Sequence, residues 1–213
     1  RGTENFAQKP AMLRSEAVQA ISVGIETVRE AKAAGLTAVG IGEMGIGNTT
    51  TSSAVLCALT GASVADVTGR GGGLTDEGYQ KKLAVIEAAL ALHRPDANDP
   101  IDVLTKVGGL DLAAMTGAYL GCAAEHIPAV VDGFISIVAA LCAVRLCPAA
   151  RDYLILSHAS YEIGYRIAAE ELRQEPCLLL EMRLGEGSGC PLMFQIMRAA
   201  CAVLCNMATF EEA

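Results

Sequence analysis

Residues 40–53 read Gly-Ile-Gly-Glu-Met-Gly-Ile-Gly-Asn-Thr-Thr-Thr-Ser-Ser, and this stretch decides the fold. Ala38, Val39 and Ile41 form the end of a buried strand. Thr49 to Leu59 form a helix, with Asn48 or Thr49 as its N-cap. Gly42, Gly45 and Gly47 stand between the two, so the chain can turn tightly and bring its backbone close to a ligand. The free N–H groups of the first helical turn, at the positive end of the helix dipole, suit a phosphate. Glu43 stands inside the turn. A carboxylate repels phosphate, so its expected business is with ribose hydroxyls or a positively charged ring. The same glycines also fit an αβ turn that binds nothing.

Outward from this stretch, strand and helix alternate. Ser15 reads as the N-cap of a helix to about Ala34, with Ala17, Ile21, Ile25 and Val28 facing inward. Gly35 ends it and leads into a first strand, Thr37 to Gly42. Further strands are expected at Pro128–Asp132, Asp152–Ser157 and Cys177–Met182. Helices are expected near Ser63–Val67, over Asp76–His93 and Leu110–Ala124, from Gly133 to Arg145, and over Tyr161–Arg173. A last helix carries Met193, Ile196, Met197, Ala200 and Leu204 inward, and Pro95–Pro100 reads as a loop. This pattern predicts one α/β domain over residues 1–213, a Rossmann-like parallel sheet with helices on both faces in three α/β/α layers. Glu43, Asp132, His158, Ser160, Arg183 and Glu186 all follow the carboxyl ends of their strands. In an open parallel sheet those ends share the edge where ligands bind.

Composition narrows the function. The chain of 213 residues is 52% hydrophobic, with 22 glycines and a formal net charge of −8, which suits a packed α/β domain. That charge argues against nucleic acid or an anionic membrane as partner. An anionic substrate must be drawn in by a few local cations. The eight cysteines contain no C-x-x-C and no His at ligand spacing, so buried, reduced thiols are expected, with neither metal nor cofactor. Nothing at Arg1-Gly2-Thr3-Glu4 reads as a secretory leader. The apolar run Gly133–Val144 falls short of the roughly 20 residues that span a bilayer. A soluble, cytoplasmic protein is expected.

One candidate cation comes from the helical wheel. Leu83, Ile86 and Leu90 define the buried stripe of the Asp76–His93 helix. Lys82 falls on its flank and can reach inward, whereas Lys81 points nearly opposite, toward Glu77 at i,i+4. Both lysines would also fit as ordinary surface residues. Glu186 lies in Gly185-Glu-Gly-Ser-Gly, a turn flexible enough to present a side chain and dry enough to make a carboxylate a better base. Arg183 beside it offers a charge-assisted contact to phosphate. An ordinary solvated loop carboxylate is the alternative for Glu186.

The motif Gly42-Glu-Met-Gly-Ile-Gly-Asn-Thr-Thr50 resembles the signature of the nicotinate-nucleotide–dimethylbenzimidazole phosphoribosyltransferases, which make the lower-ligand nucleotide of cobalamin. Gly69-Arg-Gly-Gly-Gly-Leu74, Val131-Asp-Gly-Phe-Ile135 and Arg183-Leu-Gly-Glu-Gly-Ser-Gly189 fit the same family in order and spacing. The similarity runs from Asn5 to about Ala208, and family members are substantially longer at the N-terminus. Gly72 stands where a threonine is common in the family, and Ile163 where a proline is. The resemblance implies transfer of the phosphoribosyl group of nicotinate mononucleotide to 5,6-dimethylbenzimidazole by a homodimer. It places the general base on Glu186. It puts phosphate contacts at Gly45, Asn48, Thr49, the Gly71 turn and Lys82. Glu43 and Asp132 would address the ribose or order the site, and Ser160 would stand near the nicotinate. Met44 and Leu184 would be apolar walls for the benzimidazole. A non-catalytic phosphate-binding module of the same fold is the alternative. A dinucleotide-dependent oxidoreductase is disfavoured, because no G-x-G-x-x-G stands in register with an acidic residue at the next strand's end.

Overall fold

The computed structural model describes residues 2–211. Three short parallel strands, β1 (Val39–Ile41), β2 (Ala129–Val131) and β3 (Leu154–Leu156), lie in the order β1-β2-β3. Ile41, Val131 and Leu156 are in register. Gly42, Asp132 and Ser157, each one residue further on, therefore emerge at the same carboxyl edge. The strands are shorter than the sequence suggests, and residues 148–153 form a 3-10 turn.

Helices α1 (Arg14–Ala33), α2 (Thr49–Thr60), α3 (Val64–Val67), α4 (Asp76–His93), α5 (Pro100–Val107), α6 (Leu110–Ala124), α7 (Phe134–Leu146), α8 (Gly164–Leu172) and α9 (Gly189–Asn206) complete the chain. On one side of the sheet, Ile41, Ala129, Val131, Leu154 and Leu156 share a core with α1, α2 and α4–α8. On the other side, Val130 and Ile155 pack against Cys190, Met193, Phe194 and Met197 of α9. This alternation along each strand gives the three α/β/α layers.

Helix α7 is apolar all round because it is enclosed all round, and Phe134 through Ala143 are all buried. Each fully buried Val, Leu or Ile there contributes about 1.5–3 kcal/mol. Helices α1 and α6 meet backbone to backbone: a Cβ on Gly117 would overlap the Ile21 carbonyl, and one on Gly24 the Ala114 carbonyl.

Four expectations are corrected. The fourth strand does not form. Cys177 and Leu178 bond to Leu156 and Ser157 beside β3, leaving a bridge between His158 and Leu178. Leu179 and Leu180 then face solvent, and Glu181 at φ +52° breaks the extended run. Helix α5 begins at Pro100, the last residue of the expected loop, and runs through residues 101–107, for which no element is expected; the Asp99 side chain accepts from the N–H groups of Ile101 and Asp102. The inward face expected on α9 ends after its second turn: Ile196 is 42% exposed and Leu204 86%. Ala200 is also exposed. Half of the expected buried cysteines differ as well, since Cys147, Cys177, Cys201 and Cys205 are exposed. Among the described residues, α9 is the helix whose length and apolar character match a bilayer span.

Candidate active site

At the carboxyl edge of the sheet lies a cavity of about 190 Å³, lined by residues of three strand ends and of the 183–185 loop. One wall is the β1–α2 turn. Glu43 is half-buried there, and its carboxylate accepts from the Gly45 N–H and from the Asn48 side-chain amide. Asn48 donates also to Asp111 at 2.9 Å. Burial pushes the Glu43 carboxyl above its ordinary range, while the Asn48 and Gly45 hydrogen bonds pull it back.

Asn48 does occupy the N-cap position of α2, but its side chain makes no capping bond. It is spent on the two carboxylates. The first-turn N–H groups of α2 are thus uncapped by it, which leaves them for a ligand. Thr49 sits at this helix end, and its hydroxyl accepts from Lys82 Nζ at 2.9 Å. Lys82 also donates to the Gly69 carbonyl at 3.0 Å. The lysine is 7% exposed, as the helical wheel indicated, and Lys81 is exposed. Burial lowers the Lys82 ammonium from its ordinary value, with Glu162 opposing the fall. A Cβ on Gly71 would lie 3.1 Å from Thr49 Oγ1 and 3.7 Å from Lys82 Nζ. Turn, hydroxyl and ammonium therefore converge on one small volume.

Asp132 closes the site from β2. It is 1% exposed, and it holds the loop that leads into α9: Oδ2 accepts from Gly187 N at 3.0 Å and Oδ1 from Gly189 N at 2.9 Å. Gly42 makes this possible, because a Cβ there would run into the Gly187 backbone. The Glu186 N–H bonds to the Glu43 carbonyl at 2.8 Å. Loop 183–189 is thus fastened to both β1 and β2. Of the two expectations for Asp132, ordering the site accounts for both of its oxygens.

His158 is buried, with Nδ1 3.0 Å from Ser157 Oγ and 3.8 Å from Asp132 Oδ1. Ser157 gives its single proton to the Val131 carbonyl at 2.7 Å, so His158 Nδ1 is the donor to Ser157. Burial depresses the imidazole below its ordinary value, against the pull of Asp132.

The remaining expected residues divide. Met44, Gly45, Thr49, Gly71, Asp132, Ser160, Arg183 and Leu184 line the cavity with Glu43. Asn48 and Lys82 stand behind that wall, one through Glu43 and the other through Thr49. Glu186 is not among the lining residues. It is exposed rather than dry, at φ +58°, immediately beyond Gly185 on the cavity's rim. Met44 and Leu184 are 66% and 69% exposed, so the apolar side of the site is open. The cavity is also smaller than the ~300–1,000 Å³ of typical ligand pockets.

Two residues were missed in the sequence. Asp111, in the first turn of α6, reads as an ordinary helix-start acid, yet it anchors Asn48. Glu162 follows Ser160 by two positions and lines the same cavity.

Comparison with known proteins finds relatives over the whole length of the chain. A family model described as "Phosphoribosyltransferase" (DBI_PRT) matches residues 1–213. The chain is 53% identical over 213 residues to a nicotinate-nucleotide–dimethylbenzimidazole phosphoribosyltransferase of Geobacter metallireducens, covering all of this chain and 60% of that protein. It is 50% identical over 212 residues to the protein of the same name from Clostridium perfringens, covering 100% of this chain and 59% of the relative. A crystal structure of CobT from Thermus thermophilus superposes with a TM-score of 0.93 at 42% identity, over 99% of this chain and 62% of that one. The chain spans about 60% of the length of the curated relatives it matches.

Proposed function

The chain belongs to the nicotinate-nucleotide–dimethylbenzimidazole phosphoribosyltransferase family, and from that premise we propose that it transfers the phosphoribosyl group of nicotinate mononucleotide to 5,6-dimethylbenzimidazole. The products are α-ribazole 5′-phosphate and nicotinate. The observation that carries the reading is the convergence of the uncapped start of α2, Thr49 Oγ1, the Gly71 turn and Lys82 Nζ beside a carboxylate-lined cavity. It is the donor set a 5′-phosphate requires.

The chemistry follows from the two rings. Nicotinate leaves as a pyridinium whose nitrogen already carries positive charge. When its bond to the ribose C1′ breaks, the electron pair returns to that nitrogen and no acid is needed. A benzimidazole nitrogen forms the new bond from the opposite face, inverting β to α. Its partner N–H proton must go to a base. Glu186 has that role by resemblance, at the open rim beside Leu184 where the incoming base is flanked by Met44. Glu43 faces the ribose and the departing ring from inside the cavity. Holding the two rings and the ribose in line supplies much of the remaining rate. Ser160 is the polar group proposed near the nicotinate. The working state is proposed to be a cytoplasmic homodimer.

The chain is to be incubated with nicotinate mononucleotide and dimethylbenzimidazole, and nicotinate release followed. Release is expected, and in Glu186→Gln it should fall by about 10²–10⁴-fold with nucleotide binding nearly kept. Full turnover in that variant would transfer the base role to Glu43. Nucleotide binding with no release would instead favour a second reading, a phosphate-binding module of the same fold. The observation behind that second reading is the exposure of Met44 and Leu184, which leaves the apolar side of the site open.

A further inference from the structure

Glu162 belongs to the cavity that the proposed phosphate must enter. It lines the 190 Å³ cavity and also an adjoining one of about 620 Å³, the two sharing Gly71, Ser160 and Arg183. Its carboxylate lies directly against Gly69, where a Cβ would overlap Glu162 Oε2. Gly69 is the residue whose carbonyl holds Lys82 Nζ. An acid therefore stands one residue's width from the ammonium proposed to hold a phosphate, with no ion pair joining them among the described residues. Lys82 spends two of its N–H bonds on Thr49 and Gly69, which leaves one for a ligand.

A phosphomonoester at this spot would meet an anion on its own wall. The other charged and titratable groups set the balance. Arg183 lines both cavities, and Arg70, Tyr79 and Tyr161 line the larger one with Glu162. Arg70 is engaged with Asp76 and stacks on Tyr79. Glu43, Asp132 and His158 line the smaller cavity. Burial already pushes the Glu162 carboxyl above its ordinary range, and Lys82 alone pulls it back. A dianion that occupies the ammonium removes that pull and adds like charge, and both changes favour the protonated acid.

Resting on the phosphate-site reading above, we propose that Glu162 is a proton-linked wall of the phosphate pocket. It balances Lys82 while the pocket is empty. It takes a proton from solvent when a phosphomonoester dianion binds, so binding and proton uptake are coupled. Above pH ~6.5, where the phosphomonoester is already largely a dianion, affinity then falls as pH rises.

The test is calorimetric titration of the chain with nicotinate mononucleotide, and separately with inorganic phosphate, in two buffers of different ionisation enthalpy at pH 7.5. Once the proton that inorganic phosphate itself sheds on binding as the dianion is subtracted, net proton uptake is expected with both ligands, and Glu162→Gln should lose it. That variant should bind about tenfold tighter at pH 8 for each unit by which binding raises the acid's pKa. Glu162→Ala is the second variant if the first does not fold. Unchanged uptake in a folded variant, weakened nucleotide binding in it, or uptake with the nucleotide alone would overturn the inference. Lys82→Ala separates the two failures. If it weakens binding of both ligands while Glu162→Gln changes nothing, only the role of Glu162 falls. If Lys82→Ala leaves binding unchanged, the phosphate site and the inference fall together.

Discussion

At the residue scale, the site depends on carboxylates with different tasks. Glu43 faces the cavity, Asp111 fixes Asn48, and Asp132 fastens a loop. Asp132→Asn isolates the last task. An amide keeps the shape but offers one acceptor oxygen, so either Gly187 or Gly189 loses its partner and a buried N–H faces an NH₂. Leaving such a donor unmet costs about 1–3 kcal/mol. The expected result is a fall of that size in urea-denaturation stability, together with loss of turnover larger than loss of nucleotide affinity. Unchanged stability would mean the loop is held elsewhere. In the sequence, Asp132 was visible as an acid at a strand's end, but its two partners lie 55 and 57 residues downstream. No local pattern connects residues so far apart. Lys82 is the opposite case, because helical phase places it on the flank of the buried stripe of its own helix.

At the element scale, close contact between α1 and α6 decides how the layer on that side of the sheet packs. Gly117 and Gly24 bring the two backbones together. Gly117→Ala gains up to about 1 kcal/mol in helix propensity, yet its methyl group must push α1 away. Overpacking of this kind typically costs about 1–3 kcal/mol, so a net loss is expected. Thermal or urea denaturation checks the sign, and a more stable variant would show that the helices can part freely. Sequence reading found α1, α6 and α7 from their periodicity and apolar runs. Helix α5 was left without an expected element although Asp99-Pro100 is a good N-cap and N1 pair, because it is only eight residues long and stands between a polar loop and Gly108-Gly109. The failed fourth strand had apolar residues in the right place. What it lacked was a pairing partner beyond Leu178.

At the scale of the whole molecule, one run of exposed apolar side chains lies along α9 and the residues after it. Leu192, Ile196, Val203, Leu204, Met207 and Phe210 are all exposed. Helices α6 and α7 are as apolar, but both are covered within this chain. A two-fold association is therefore expected to involve α9, with an isologous interface. Sedimentation at micromolar concentration should show a dimer, and Leu204→Lys should shift it toward monomer without lowering the thermal stability of the core. A dimer untouched by that change would place the interface elsewhere. By itself the sequence determined the alternation of strand and helix, the glycine turn at residues 42–47, the polar residues that follow the three strands formed, and the family. Each of these is written in short-range periodicity or in contiguous motifs. Only the tertiary structure decided that Asn48 serves carboxylates instead of capping its helix, that Asp132 is a fastener, that Glu162 lines the same cavity as Glu43 and Asp132, and that α9 lies open. Those outcomes depend on which surfaces meet across tens of residues, and side-chain partners chosen by packing leave no local trace in the chain.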